Sequence, residues 1–86
     1  MKHCVYLIIT YRKDKYISYV GYTNNLLKRI EAHNNSKGAK FTKGNFWFLA
    51  YFKYYKTKNI ALQHEYKLKN NYTFRNYIKK KISKLI

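Results

Sequence analysis

Tyr19-Val20-Gly21-Tyr22-Thr23-Asn24-Asn25-Leu26-Leu27-Lys28-Arg29-Ile30-Glu31-Ala32-His33-Asn34 changes its hydrophobic period partway through. Its opening residues continue a β-branched and aromatic run, Tyr16 to Tyr22, that reads as a strand. From Leu26 onward the apolar residues recur at helical spacing. Thr23, Asn24 or Asn25 can cap a helix running to about Asn34. Upstream, Val5 to Tyr11 is apolar throughout and reads as a buried strand, and the short polar break Arg12-Lys13-Asp14-Lys15 makes the two strands a hairpin. Downstream, residues 34–40 form a polar basic loop and Phe46 to Tyr55 a third strand. Thr57 caps a second helix to about Lys69, and Asn70-Asn71-Tyr72 breaks it. Thr73 then opens a third helix with Phe74, Ile78, Ile82 and Leu85 as its apolar stripe. The order ββαβαα predicts an α+β fold in which helices flank a small three-stranded sheet, in one domain over residues 1–86.

Nineteen Lys and Arg face three acids, Asp14, Glu31 and Glu65, for a net charge of +16. Such self-repulsion is relieved by a polyanion, and nucleic acid is the commonest one available. An AT-rich genome explains why sixteen of the nineteen are Lys, but not the near absence of Asp and Glu. Three scattered carboxylates exclude the carboxylate cluster of a two-metal nuclease and paired-carboxylate acid/base catalysis. The lone Cys4 excludes an internal disulfide and a multi-Cys zinc site. A cytoplasmic, intracellular location is expected, since no apolar run is long enough for a membrane span or a signal peptide.

Polar residues interrupt two apolar faces. On the first helix Leu26, Leu27 and Ile30 share a face; His33 falls about 20° from Leu26, with Arg29 about 40° further round. Both fit a core edge, Arg29 lying along it and His33 hydrogen-bonded within it, and both also fit a site. On the second helix Glu65 lies amid Ala61, Leu62, Tyr66 and Leu68. A carboxylate there needs a cation partner, Arg29 or a lysine, or a metal. Tyr6 and Tyr19 lie on neighbouring strands of the hairpin and share a face only if the register allows it.

Cys4-Val5-Tyr6 followed by Tyr19-Val20-Gly21 resembles the paired signature of the GIY-YIG nuclease superfamily. So do the Tyr19–Asn34 block, Gly38-Ala39-Lys40-Phe41-Thr42, and the glutamate helix Ala61-Leu62-Gln63-His64-Glu65-Tyr66-Lys67-Leu68-Lys69, which match its short single-domain bacterial members. Cys4 and Val5 depart from the Gly and Ile of the signature, while Tyr6 is kept. The resemblance implies a metal-dependent endonuclease acting on DNA, whether single-stranded, branched or duplex. It implies Tyr6 as general base, directly or through its hydroxyl network, and Tyr19 as the residue positioning water or phosphate. Arg29 would stabilise phosphoryl charge, His33 would hydrogen-bond Tyr6, Tyr19 or the phosphate, and Glu65 would hold one Mg²⁺, with Mn²⁺ as a substitute. One of Asn70, Asn71 and Asn76 would complete the site. One carboxylate is a poor Mg²⁺ site by itself, so substrate oxygens would complete it. Gly21 suits either a close backbone approach or a simple strand end.

Lys37, Lys40 and Lys43 are the candidate phosphate contacts, with Lys53, Lys56, Lys58 and Lys79-Lys80-Lys81 adding to the basic surface. Tyr, Phe and Trp47 could stack unpaired bases, which would favour a single-stranded or branched substrate, although most of these aromatics are needed for the core. Longer family members add DNA-recognition domains, so extended specificity here would call for a protein partner, and a homodimer would suit the cutting of duplexes. The competing class is a catalytically inactive nucleic-acid-binding module on the same fold. A membrane-surface role for the basic third helix is disfavoured, because its apolar stripe is needed to cover the sheet.

Overall fold

The computed structural model describes residues 2–85. Strands β1 (His3–Arg12), β2 (Lys15–Thr23) and β3 (Phe48–Tyr55) form one antiparallel sheet in the order β2-β1-β3. Helix α1 (Leu26–Asn34) follows β2; α2 (Lys58–Lys69) and α3 (Tyr72–Leu85) follow β3. The class is α+β with the ββαβαα order read from the sequence.

The unbroken apolar character of β1 has a direct cause: it is the middle strand and is covered on both faces. Cys4, Tyr6 and Ile8 pack against Leu26 of α1 and Trp47. Val5 and Leu7 pack on the other side with Val20 and with Ala61 and Leu68 of α2, where Phe74 and Ile78 of α3 join them. Leu85 is 78% exposed, so the stripe of α3 reaches the core only through its earlier members. Among the described residues no helix is long and apolar enough to cross a membrane.

The hairpin turn is tight. Lys13 and Asp14 both have positive φ, 52° and 64°, the geometry whose twist matches paired strands. Tyr6 pairs with Gly21 and Ile8 with Tyr19, so the two-residue period places Tyr6 and Tyr19 on the same face. On the other side of β1 the register shifts between Leu7 and Ile8, leaving Ala50 of β3 as the extra residue of a bulge.

Both hairpin strands run one or two residues past the sequence reading at each end, and three later features differ as well, two of them because side chains capture backbone groups. The third strand begins at Phe48 rather than Phe46. The Thr10 hydroxyl donates to the Phe46 carbonyl (2.7 Å), and Trp47 N–H donates to Asn34 Oδ1 (2.6 Å). The third helix opens at Tyr72, not Thr73, because Asn71 Oδ1 accepts from Phe74 N–H at 3.0 Å and caps it. The basic loop, thirdly, leads into a short 3-10 turn, Lys40–Thr42. For the first helix, Asn25 is the cap among the three candidates, accepting from Lys28 N–H. Thr57 caps α2 as read.

Candidate active site

Tyr6 projects from the middle strand toward α1 and meets His33 one turn beyond Arg29. Its hydroxyl is 2.7 Å from His33 Nε2, and Arg29 Nε–H donates to it at 3.3 Å. Both Tyr6 and His33 are fully buried. Tyr19 packs edge-on to the His33 ring, with centroids 5.4 Å apart. Tyr6, Tyr19, Arg29 and His33 are therefore one cluster on the α1 face.

The network fixes its own protons. The Thr42 hydroxyl donates to the Ala39 carbonyl (2.8 Å), so Thr42 Oγ1 is left to accept from His33 Nδ1, 2.7 Å away. Nδ1 therefore carries the hydrogen, and Nε2 accepts the proton of Tyr6. Burial, with the Arg29 charge adding to it, pushes the His33 pKa down to about 4, so the ring is neutral at pH 7. Burial also raises Tyr6 above the ordinary phenol value. The hydrogen bond and charge of Arg29 oppose that rise, while Tyr19 and Glu65 add to it. Tyr6 is thus held as a neutral phenol between a base and a cation.

Two glycines make this packing possible. A Cβ on Gly21 would collide with the hydroxyl and ring of Tyr6, and one on Gly38 with the ring of His33. Of the two readings of Gly21, close approach is the one realised; it lies inside β2 and does not end it. Gly21→Ala should cost about 2 kcal/mol, a typical overpacking penalty, and displace the Tyr6 ring. Urea unfolding checks the first effect, and loss of the Tyr6–His33 coupling in the NMR shifts of the imidazole checks the second.

Glu65 comes from the opposite side of the sheet. Its side chain is 18% exposed, and Oε2 lies 3.6 Å from Lys69 Nζ, an i, i+4 pair and the sole carboxylate ion pair among the described residues. The cation partner demanded by the apolar arc is therefore Lys69, not Arg29. Glu65 still lies near enough for its charge to oppose ionisation of Tyr6. No three His, Cys, Asp or Glu side chains cluster among the described residues. A metal here would have Glu65 as its one protein carboxylate and would fill the rest of its shell with water and substrate oxygens. That donor set fits a hard cation, which keeps its waters, and the ammonium beside Oε2 shows that the position accepts positive charge.

Lys37, Lys40 and Lys43 are exposed, and Lys40 opens the 3-10 turn that carries Thr42. Trp47, a candidate for base stacking in the sequence, is instead 2% exposed, and its indole N–H donates to the Thr42 carbonyl at 2.9 Å. Of the three asparagines, Asn71 is occupied in capping α3, and Asn70 donates to the Tyr66 carbonyl at the end of α2. Thr42 and Gly38 received no role from the sequence; their place in the resembling block Gly38–Thr42 was the available signal.

The model of the GIY-YIG catalytic domain matches residues 2–80, and the chain belongs to that family. It is similar to a UPF0213 protein of Clostridium perfringens, 46% identical over 65 residues covering 74% of this chain and 69% of that protein. UPF0213 proteins of Bacillus cereus (42% over 69 residues) and Oceanobacillus iheyensis (41% over 69 residues) each cover 79% of this chain, and the matches take in 69% and 77% of those proteins. No solved structure gives a significant match.

Proposed function

We propose that this protein is a metal-dependent endonuclease that hydrolyses phosphodiester bonds of DNA. The observation that carries this reading is the Tyr6 hydroxyl, gripped between the lone pair of a neutral imidazole and a guanidinium N–H. A structural tyrosine needs neither a proton acceptor nor a cation on the same oxygen.

Arg29 uses its Nε on Tyr6, and its two terminal nitrogens have no hydrogen-bond partner among the described residues. They form a fork for two phosphoryl oxygens, where charge grows as water attacks. When Arg29 turns toward the phosphate, it uncovers the otherwise buried Tyr6 oxygen, which regains a lone pair on the side Arg29 had occupied, where half-buried Tyr19 positions the water. The water proton then passes to Tyr6 Oη as the Tyr6 proton passes to His33 Nε2. The transfer is concerted: a raised phenol pKa above an imidazole at about 4 makes a free phenolate too rare to act alone. The new O–P bond forms as the bond to the leaving alkoxide breaks. The imidazolium is stabilised by the charge developing on the phosphoryl group. Glu65 would hold the divalent cation, Mg²⁺ or Mn²⁺, which polarises the phosphate and stabilises the leaving oxygen.

Lys37, Lys40 and Lys43 supply sequence-independent phosphate contacts. Apart from the Glu65–Lys69 pair, no Lys or Arg is neutralised by a carboxylate among the described residues, so the field toward a polyanion is undiminished.

The test is cleavage of labelled single-stranded, duplex and flapped DNA with Mg²⁺ or EDTA. Wild type should cut only with metal. Glu65→Ala should cut about a hundredfold more slowly, about 3 kcal/mol of lost transition-state stabilisation, and still bind. Salt-sensitive binding by both proteins without any cutting would overturn the enzyme and leave the catalytically inactive binding module.

A further inference from the structure

Beside the cluster, a groove of about 300 Å³ runs along the free edge of β2, lined by Ser18, Tyr19, Val20, Phe41, Lys69 and Arg75. No carboxylate lines it. Two of its walls come from the α2–α3 corner, Arg75, which has no carboxylate partner among the described residues, and Lys69, whose ammonium is shared with Glu65 at 3.6 Å, and a third, Phe41, belongs to the 3-10 turn. From these residues we propose that the groove is a binding subsite for one unpaired nucleotide flanking the scissile phosphate, its phosphate on Arg75 and Lys69 and its base on Phe41. The proposal rests on the nuclease reading and names the substrate class that reading left open: single-stranded DNA, or a single-stranded flap.

The first argument is the state of Arg75. Only three arginines occur in a chain with sixteen lysines, and one of them, Arg75, lines this groove. The Arg75 guanidinium is held in place without being neutralised. Nη1 donates to Ser18 Oγ at a long 3.3 Å, and the group lies 5.9 Å over the Tyr72 ring. Its Nε–H is sealed from solvent with no acceptor. A half-buried cation with weak neutral partners and an unpaired N–H is poorly compensated. A phosphate drawn into the groove would neutralise it, and the planar fork suits two phosphate oxygens better than an ammonium does.

Phe41 provides the second argument, independent of charge. It is 59% exposed, an unusual place for a phenylalanine. Its ring stacks on Tyr19 at 19° with centroids 6.0 Å apart and is tilted 44° to Trp47 at 6.2 Å, and more than half of the side chain remains exposed. The turn beneath it is pinned by the Thr42 bonds to Ala39 and His33, so the platform is rigid. A rigid aromatic with an open face stacks any unpaired base, whereas bases inside a duplex have both faces covered. The volume, at the small end for ligand sites, suits one nucleotide rather than a base pair.

The experiment is fluorescence anisotropy in EDTA, where nothing is cut, using full-length protein with a labelled ten-nucleotide oligo-dT and a labelled hairpin duplex. Phe41→Ala should weaken oligo-dT binding about tenfold, the loss of one base stack, and leave duplex binding within about twofold. Phe41→Tyr should restore it. Arg75→Gln should weaken oligo-dT binding and reduce its salt slope by about one phosphate contact. Circular dichroism confirms that each variant is folded; if Arg75→Gln is not, Lys69→Gln takes its place. Oligo-dT binding unchanged in the Phe41 and cation variants, or weakened no more than duplex binding by Phe41→Ala, would overturn the subsite. Because cutting is not read, failure here leaves the nuclease reading standing, and failure to cut elsewhere leaves this result standing.

Discussion

Tyr6→Phe should cut DNA about a thousandfold more slowly than wild type under saturating Mg²⁺, while binding the same oligonucleotide within a few fold. The magnitude is that of a positioned general acid–base group, roughly 10²–10⁴ in rate. The substitution removes one oxygen that both receives the Arg29 N–H and donates to His33 Nε2. Its ring, fully buried beside Gly21, stays, so the fold should survive. Survival will not be free, because His33 Nε2 becomes a buried acceptor without a donor, a loss of about 1–3 kcal/mol. Urea unfolding of the variant measures that loss and shows that the protein assayed is folded. Single-turnover rates then separate chemistry from binding. A variant that is folded, bound and still fast would remove Tyr6 from the chemistry and leave Tyr19 or bulk water to activate the nucleophile. The predicted pattern differs from that of Glu65→Ala: raising the metal concentration should leave Tyr6→Phe as slow as before.

Much of this arrangement was legible in the residues, for identifiable reasons. The unbroken apolar run of β1 marks a middle strand covered on both sides, and Cys4 to Thr10 are all buried. Arg29 and His33 stood out because helical spacing placed them against an apolar face, and their common partner proves to be the Tyr6 hydroxyl. Glu65 stood out in the same way, but periodicity gives an angle about one helix axis and says nothing of the far side of a sheet. The sequence could require a cation for Glu65 without choosing among Arg29 and sixteen lysines; the i, i+4 geometry of α2 delivers Lys69.

What escaped reading was decided by tertiary contacts between distant side chains and backbone. Nothing local says that Thr10 will take the Phe46 carbonyl or Asn34 the Trp47 amide, yet these two contacts move the start of β3. They also seat Trp47 in the core, away from any base. The hairpin register was equally closed to inspection, because Lys13-Asp14 lacks the glycine that usually marks such a turn. Once the register is set, Gly21 opposite Tyr6 follows as a steric necessity.

Acid should destabilise this protein through one histidine. His33 has its pKa lowered to about 4 from the usual 6.5, so the unfolded chain binds the proton more readily than the folded one. Stability from the neutral ring is fully present above pH 6.5, falls as the pH drops toward 4, and is gone below that. The gap in pKa corresponds to about 3 kcal/mol over that window, a large part of a small domain's total. Carboxylates usually dominate acid unfolding, but this chain has three, so the histidine should be visible above them. The faces around the ring allow no easy relief: the Tyr6 hydroxyl and the Arg29 charge lie on the Nε2 side and Thr42 on the Nδ1 side. Protonating Nε2 would turn the Tyr6 proton away beside an existing cation. The measurement is urea unfolding from pH 7.5 to 4 on wild type and His33→Gln, whose amide does not titrate. The variant should start less stable and lose less as the pH falls, so the two curves should converge near pH 4. Parallel curves would mean that folding leaves the His33 pKa at its unfolded value, and curves that draw apart as the pH falls would mean that the folded protein favours the charged ring. In the latter case the proton order derived from Thr42 would be wrong, and with it the route from water through Tyr6.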